Sequence, residues 1–251
     1  MALLNCNYHS AVLGKACQMN IIIPQNPINP TNKPYPVMYL LHGLSDDYSI
    51  WERRTSIERY AAAYDLVIVM PDGDRGFYTD AQEGFKYWTA LSEELPQIVS
   101  SLLPVSTDRE KTFAAGLSMG GYGALKLALR KPDKFAAAVG ISSVADIRHW
   151  LSRHLPTPEM QRIFLKDGAF ADDENDLMYL ADKAMKSPNP PRIMSICGTE
   201  DGLYEDNQNF RRHMEDINYP DYKYMEGPGA HSWDFWDKWI QTALKFFMDE
   251  K

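Results

Sequence analysis

The chain has 251 residues, of which 45% are hydrophobic and 24% are charged, as in an ordinary globular protein. We expect residues 1–251 to form one domain, since a chain of this length can build a single large core. The net charge of −8 and the lack of any Lys/Arg run argue against nucleic acids and anionic membranes as partners.

The N-terminal residues resemble no signal peptide, and no apolar run approaches the roughly 20 residues of a membrane-spanning helix. Three widely spaced cysteines fit a reducing compartment better than a disulfide framework. We therefore expect a cytoplasmic protein. Whether the chain forms a homo-oligomer is left open by its sequence.

Short and nearly continuous apolar runs predict strands that are buried on both faces, as in a parallel sheet. These strands cover residues 18–23, 37–41, 66–70, 112–116, 136–141 and 192–197. Apolar residues at helical spacing predict helices over 56–64, 89–103, 120–129 and 232–248. The alternation predicts an α/β fold with a mostly parallel central sheet flanked by helices.

Residues 145–191 interrupt this alternation with a long segment that is mostly helical in pattern. We interpret the segment as an insertion that caps a site, and we hypothesise that it acts as a lid. Its acidic run at 172–176 lacks the glycine of a calcium loop, so the run predicts a helix start rather than a metal site.

The motif Gly116-Leu117-Ser118-Met119-Gly120 follows a predicted strand and opens a helix of small residues. A tight strand-to-helix turn exposes the serine hydroxyl above the sheet edge, and the glycines are needed where the backbone is crowded. Such a motif arises by chance in roughly one chain in ten of this length, so its weight depends on partner residues. The alternative interpretation is a phosphate-binding turn, but no Gly-Lys-Ser/Thr follows.

The partner residues of a nucleophilic serine in this setting follow it in the chain, first an acid and then a histidine. Asp201 and Glu200 both come directly after strand 192–197, and we favour Asp201 over Glu200. The alternative role for Asp201 is a turn or cap residue. His231 lies in a Gly/Pro loop before the last helix and is the expected base; a surface histidine is the alternative.

Two backbone N–H groups are expected to hold the oxyanion, one from Met119 and one from Leu44 in the loop after strand 37–41. We interpret His42 as a residue that positions this loop. Four aromatic residues near predicted strand ends are candidates for lining a substrate pocket, with core packing as the alternative: Phe77, Tyr78, Trp88 and Trp233.

Together these segments resemble the esterase D family, which includes S-formylglutathione hydrolases, tributyrin esterases, feruloyl-type esterases and mycolyltransferase antigens. The likeness is carried by residues 40–44, 69–73 with 77–80, 116–124, and 198–201 with 231–233. Residues 197–201 and 230–236 look nearest to the tributyrin esterases. The resemblance implies an α/β-hydrolase fold and hydrolysis of short-chain acyl esters without a cofactor or metal. It also supports Leu44 as an oxyanion donor.

We therefore predict a serine carboxylesterase that acts on a small-molecule acyl ester through an acyl-enzyme on Ser118. A thioesterase of the S-formylglutathione hydrolase type, or an acyltransferase, would use the same three residues with a different leaving group or acceptor. The third hypothesis is a non-catalytic binding protein of the hydrolase fold. Such proteins often lose one member of the triad, whereas Ser118, Asp201 and His231 are all present here.

Overall fold

The computed structural model describes residues 1–25, 34–154 and 157–248. The strands are β1 (Ala2–Ser10), β2 (Lys15–Ile23), β3 (Val37–Leu41), β4 (Val67–Pro71), β5 (Thr112–Leu117), β6 (Ala137–Ile141), β7 (Leu165–Lys166), β8 (Ala169–Phe170), β9 (Arg192–Gly198) and β10 (Tyr222–Gly227). The α-helices are α1 (Ile50–Arg54), α2 (Ile57–Ala61), α3 (Tyr87–Thr89), α4 (Leu95–Leu102), α5 (Met119–Arg130), α6 (Ile147–His154), α7 (Pro158–Phe164), α8 (Leu177–Ala184), α9 (Tyr204–Asp216) and α10 (Trp233–Met248).

Eight of these strands form one sheet in the order β1-β2-β4-β3-β5-β6-β9-β10. The strands from β4 to β10 in this order run parallel, whereas β2 is antiparallel to both β1 and β4. All six strands predicted from apolar runs are present in this sheet. The edge strands β1 and β10 were not predicted, since neither has a continuous run of buried apolar residues.

The sheet is covered on both faces, so successive residues of a central strand enter different cores. In β3, Tyr39 belongs to one buried cluster and Leu40 to the other. Helices α1, α2 and α10 contribute to the cluster around Leu40, and helices α4 to α9 contribute to the cluster around Tyr39. The predicted layered α/β arrangement is confirmed.

The helix predicted over 89–103 contains one wider turn, the π-helix Ala90–Glu94, between α3 and α4. In this turn the N–H of Leu95 donates to the carbonyl of Ala90, five residues earlier. Pro96 follows at once, and its ring would crowd the carbonyl one α-helical turn before it. A π turn at this point lets the helix continue past the proline.

The segment 145–191 contains α6, α7, the β7–β8 hairpin, a short 3₁₀-helix (Asp173–Asn175) and α8. Within the acidic run, the Asp172 side chain accepts the Glu174 N–H and the Asp176 side chain accepts the Met178 N–H. The run therefore starts helical structure, as predicted. None of the helices within the three described ranges combines the length and apolar character needed to cross a bilayer.

Candidate active site

Ser118 occupies the one-residue turn between β5 and α5, with φ of 53° and ψ of −119°. A non-glycine residue rarely adopts a positive φ, and such conformations concentrate at functional sites. The Ser118 N–H donates to the carbonyl of Ile141 at 2.9 Å, and its own carbonyl accepts the Tyr122 N–H at 3.0 Å. The turn is therefore held both by strand β6 and by the first turn of α5.

The glycines on either side of Ser118 allow α5 to start directly against the sheet. A Cβ atom on Gly120 would lie 2.3 Å from the carbonyl oxygen of Leu41, at the end of β3. A Cβ atom on Gly116 would lie 2.3 Å from the carbonyl oxygen of Gly120. Both contacts are far shorter than van der Waals distances and involve backbone, so any side chain at either position would displace the turn.

Asp201 and His231 form a hydrogen-bonded pair at the neighbouring strand ends. Nδ1 of His231 lies 3.0 Å from each carboxylate oxygen of Asp201. The Asp201 side chain is fully buried, whereas the His231 side chain is 35% exposed. With Nδ1–H donating to the carboxylate, Nε2 is the unprotonated nitrogen of the neutral ring and can accept a proton.

The environment of Asp201 favours its ionised form. Burial by itself raises the pKa of this carboxyl, but hydrogen bonds from His231, the Leu203 N–H and Ser142 outweigh it and leave the pKa below its usual value. The carboxylate is therefore available to orient the imidazole and to stabilise its cation.

Trp236 supports the histidine from the side. Its ring lies edge to face with that of His231, with centroids 4.9 Å apart. Its Nε1–H donates to Ser142 Oγ at 3.1 Å, which fixes the indole in place. The sequence assigned Trp236 only to the packed face of the last helix, because its contact with Ser142 joins residues far apart in the chain.

Ser118, Asp201 and His231 all line one cavity of about 840 Å³. The expected oxyanion donors, Leu44 and Met119, line the same cavity. The cavity also has an apolar wall made of seven further side chains: Phe77, Leu117, Val144, Trp150, Leu203, Trp233 and Trp236. The geometry thus places a candidate nucleophile, a base and an acid beside a pocket for an apolar group.

The loop that carries Leu44 is fixed by the buried imidazole of His42. Nε2 of His42 accepts the backbone N–H of Gly73 at 2.8 Å, and Nδ1 lies 2.7 Å from the carbonyl oxygen of Gly43. Tyr78 Oη also donates to the carbonyl of His42 at 3.0 Å. On the other side of the site, Met119 is the first residue of α5, so its N–H has no acceptor within the helix.

Two of the aromatic residues proposed from sequence lie away from the cavity. Trp88 is buried, and its ring packs 4.9 Å from Lys126 Nζ and 4.6 Å from the guanidinium of Arg130. The expectation that Trp88 contacts substrate is therefore wrong, and core packing is correct. Tyr78 is likewise in the core, whereas Phe77 and Trp233 lie in the cavity wall.

Sequence reasoning also did not indicate that Asp46, Trp150 and Arg153 line the cavity. Trp150 and Arg153 come from α6, so the 145–191 segment supplies part of the wall. Their three-residue spacing indicates that the two side chains share one face of a helix. The sequence does not indicate that this face is turned toward the cavity.

Comparison with known proteins gives a consistent family assignment. The sequence model of the Esterase family, described as putative esterase, matches residues 10–247. An acetyl esterase from Caldicellulosiruptor saccharolyticus is 28% identical, over 98% of both chains.

Solved structures agree with this assignment. The substrate-bound fluorophosphonate-binding serine hydrolase F of Staphylococcus aureus is 35% identical, with a TM-score of 0.89 over 98% of both chains. An S-formylglutathione hydrolase, FrmB, from the same organism is 34% identical, with a TM-score of 0.85 over 98% of both chains. The Mycobacterium tuberculosis protein MPT51, 17% identical with a TM-score of 0.81, shares the fold. The chain therefore belongs to the Esterase family and is an ester hydrolase of the α/β-hydrolase fold.

Proposed function

We propose that this protein is a serine carboxylesterase that hydrolyses short-chain acyl esters through an acyl-enzyme on Ser118. One observation carries the proposal: the strained Ser118 turn and the Asp201–His231 pair open into the same largely apolar cavity. Three residues in these roles suffice for acyl transfer without a cofactor.

In the acylation step, Ser118 Oγ attacks the ester carbonyl carbon while His231 Nε2 takes the hydroxyl proton. The carbonyl oxygen becomes an anion that accepts hydrogen bonds from the N–H groups of Leu44 and Met119. When this intermediate collapses, the bond to the alcohol oxygen breaks and His231 returns its proton to the leaving alkoxide. The products of this step are the alcohol and an ester of Ser118.

Deacylation repeats these roles with water as the nucleophile. His231 takes a proton from the water as its oxygen attacks the acyl carbon, and the same two N–H groups hold the oxyanion. Collapse breaks the bond to Ser118 Oγ, which regains a proton from His231. The carboxylic acid then leaves and the free enzyme is restored.

A short acyl chain fits the aromatic wall of the cavity. Phe77 and Trp150 contact each other with ring centroids 5.1 Å apart, and Trp150 belongs to the 145–191 segment. This segment therefore sets the size of the acyl pocket and acts as its lid. The proposed branch is that of the tributyrin esterases, for which short triacyl esters are substrates.

The first test compares wild type with Ser118→Ala on p-nitrophenyl acetate and p-nitrophenyl butyrate. We expect kcat to fall by at least about 10³-fold and labelling by a fluorophosphonate probe to be lost. Ser101→Ala changes an exposed serine of α4 and is the matched control, with wild-type rates expected. Equal rates for wild type and Ser118→Ala would reject the proposal.

A thioesterase is the second candidate, because the 34% identical protein from Staphylococcus aureus is an S-formylglutathione hydrolase. The same triad would release a thiol in place of an alcohol. The discriminating measurement is kcat/KM on S-formylglutathione against that on p-nitrophenyl acetate. A large preference for the thioester would place the protein in that class, and transfer to an added alcohol would indicate an acyltransferase.

We also propose a single domain over residues 1–251 and a cytoplasmic location. Cys6, Cys17 and Cys197 are free thiols, as a reducing compartment favours. A single calorimetric unfolding transition and recovery in the cytoplasmic fraction are the expected results. Two separate transitions, or recovery outside that fraction, would contradict these assignments.

A further inference from the structure

Arg153 brings a fixed positive charge to the catalytic cavity. The ionisable side chains that line this cavity within the described residues are Asp46, Arg153, Asp201 and His231. Arg153 is the arginine of this group, and its side chain is 37% exposed. Neither hydrolysis of a neutral ester nor the triad requires a cation at this place.

The guanidinium is held from behind by a buried carboxylate. Nη2 of Arg153 donates to Asp206 Oδ2 at 2.7 Å, and the Asp206 side chain is fully buried. The other oxygen of Asp206 lies 2.6 Å from Nδ1 of His149. Asp206 therefore engages two side chains of α6, and the position of Arg153 does not depend on solvent.

The helix that carries Arg153 is docked to α9 by a second carboxylate. Asp146 accepts the N–H of His149 at 3.0 Å and the side-chain amide of Asn209 at 2.8 Å. These contacts cap the start of α6 and attach it to α9. With both carboxylates in place, α6 presents its cavity face in a defined orientation.

Arg153 lies next to the aromatic wall that receives the substrate. It follows Trp150 by three residues on α6, so the two side chains share one helix face. Trp150 in turn contacts Phe77, and all three side chains line the cavity with Ser118. The hydrogen bond to Asp206 uses Nη2, so Nε and Nη1 are further donors on the same guanidinium.

We propose that Arg153 makes this cavity select esters that carry a carboxylate elsewhere in the molecule. The planar guanidinium matches a carboxylate through two parallel N–H···O bonds, and partial burial strengthens this pairing. The carboxylate can belong to the acyl part, as in the half-ester of a dicarboxylic acid, or to the leaving group. The inference rests on the esterase function proposed above and names its substrate class.

The test uses two matched substrate pairs, each a carboxylate ester and its neutral methyl ester. The first pair, p-nitrophenyl hemiglutarate and its methyl ester, carries the charge on the acyl side. The second pair, 4-carboxyphenyl acetate and its methyl ester, carries the charge on the leaving group. For each pair, the kcat/KM ratio of charged to neutral ester is measured, so that general losses of activity cancel.

Arg153→Met keeps the apolar stem and removes the guanidinium. We expect it to lower the charged-to-neutral ratio of one pair by about 10–100-fold, the effect of losing charge-assisted hydrogen bonds. Arg153→Lys keeps the charge but not the planar guanidinium, so its ratio should lie between those of wild type and Arg153→Met. Arg211→Met is the control, since Arg211 pairs with Glu215 on the exposed side of α9, and it should keep the wild-type ratio.

A second measurement needs no variant. In wild type, the charged-to-neutral ratio should fall when NaCl is raised from about 20 mM to about 500 mM, because salt screens the attraction. A lower charged-to-neutral ratio for the first pair assigns the carboxylate to the acyl group, and a lower ratio for the second pair assigns it to the leaving group.

The inference is overturned if the charged-to-neutral ratios stay unchanged in Arg153→Met, in Arg153→Lys and at high salt. Hydrolysis of both neutral esters in the same experiments would leave the esterase proposal intact. If wild type hydrolyses none of the four esters, the proposed function fails, and the inference fails with it.

Discussion

The imidazole of His42 accepts the backbone N–H of Gly73 at 2.8 Å and so joins the loop after β3 to the loop after β4. Because Nε2 is the acceptor, the ring is neutral and its proton is on Nδ1, which donates to the carbonyl of Gly43. The His42 side chain thus attaches the loop that carries Leu44, the proposed oxyanion donor, to the loop after β4.

Substitution of His42 should therefore impair catalysis although His42 itself does not line the cavity. We expect His42→Ala to lower kcat by about 10–100-fold with a smaller change in KM, because a displaced Leu44 N–H is missed mainly in the transition state. Steady-state kinetics on p-nitrophenyl acetate measure both constants. His213→Ala, which removes a half-buried histidine paired with Asp182 and outside the cavity, should behave as wild type. A pure KM effect would argue against this role of His42.

The choice between the two adjacent acids can be tested directly. Asp201→Asn keeps the shape of the side chain but no longer holds the imidazole in the required tautomer, so kcat should fall by about 10⁴-fold. Glu200 is exposed and accepts the Gly229 N–H, a bond that the amide of Glu200→Gln can still accept. Rates of this control should stay within about twofold of wild type. The reverse ranking would make Glu200 the catalytic acid.

Trp150 should limit the length of the acyl chain. Trp150→Ala opens the wall beside Phe77, and each additional buried methylene contributes about 0.8 kcal/mol. We expect the kcat/KM ratio of p-nitrophenyl octanoate to acetate to rise at least about tenfold. Phe85→Ala, at an exposed aromatic residue outside the cavity, should leave this ratio unchanged. An unchanged ratio in Trp150→Ala would mean that the insertion does not set chain length.

Lys126 on α5 is fully buried beneath the site. Nζ lies 3.2 Å from the carbonyl oxygen of Tyr78, 2.9 Å from Thr79 Oγ1 and 2.6 Å from Asn175 Oδ1. Burial is the main influence on its pKa and lowers it well below the usual lysine value, with Arg130 acting in the same direction. The lysine thus connects the nucleophile helix to the 145–191 segment at an electrostatic cost.

This cost should appear as a pH dependence of stability. Between the lowered pKa of Lys126 in the folded state and about 10.4 in the unfolded chain, the unfolded state binds more protons. The free energy of unfolding should therefore rise with pH by up to about 1.4 kcal/mol per pH unit in this range. It should fall correspondingly as the pH is lowered. In urea unfolding at pH 7, 8 and 9, the stability of wild type should rise with pH relative to that of Lys126→Met. Parallel curves would mean that the folded-state pKa is ordinary.

The central strands, and the placement of Ser118, Asp201 and His231 around one cavity, could be predicted because they depend on local signals. A strand buried on both faces is a continuous apolar run, and the residues after parallel strands meet at one sheet edge. The edge strands β1 and β10 are not buried on both faces and carry no such signal. Trp88 was misplaced because proximity to a strand end in sequence does not reveal which side a ring packs on.

The residues that shape the cavity wall could not be predicted for a different reason. Arg153 is positioned by Asp206, which lies 53 residues later in the chain, and Trp236 is positioned by Ser142, 94 residues earlier. Contacts between such distant residues follow from how helices dock on the finished sheet. No local pattern of residues encodes them.

The separate supports of the two halves of the site have a consequence for how relatives diverge. Ser118, Asp201 and His231 follow strands of the rigid sheet, whereas Trp150 and Arg153 are carried by α6 and docked on α9. Mutations in α6 therefore alter the wall while the reacting groups keep their geometry. A lineage of such enzymes can acquire new substrates by gradual change in this one helix, with each intermediate still able to cleave an ester.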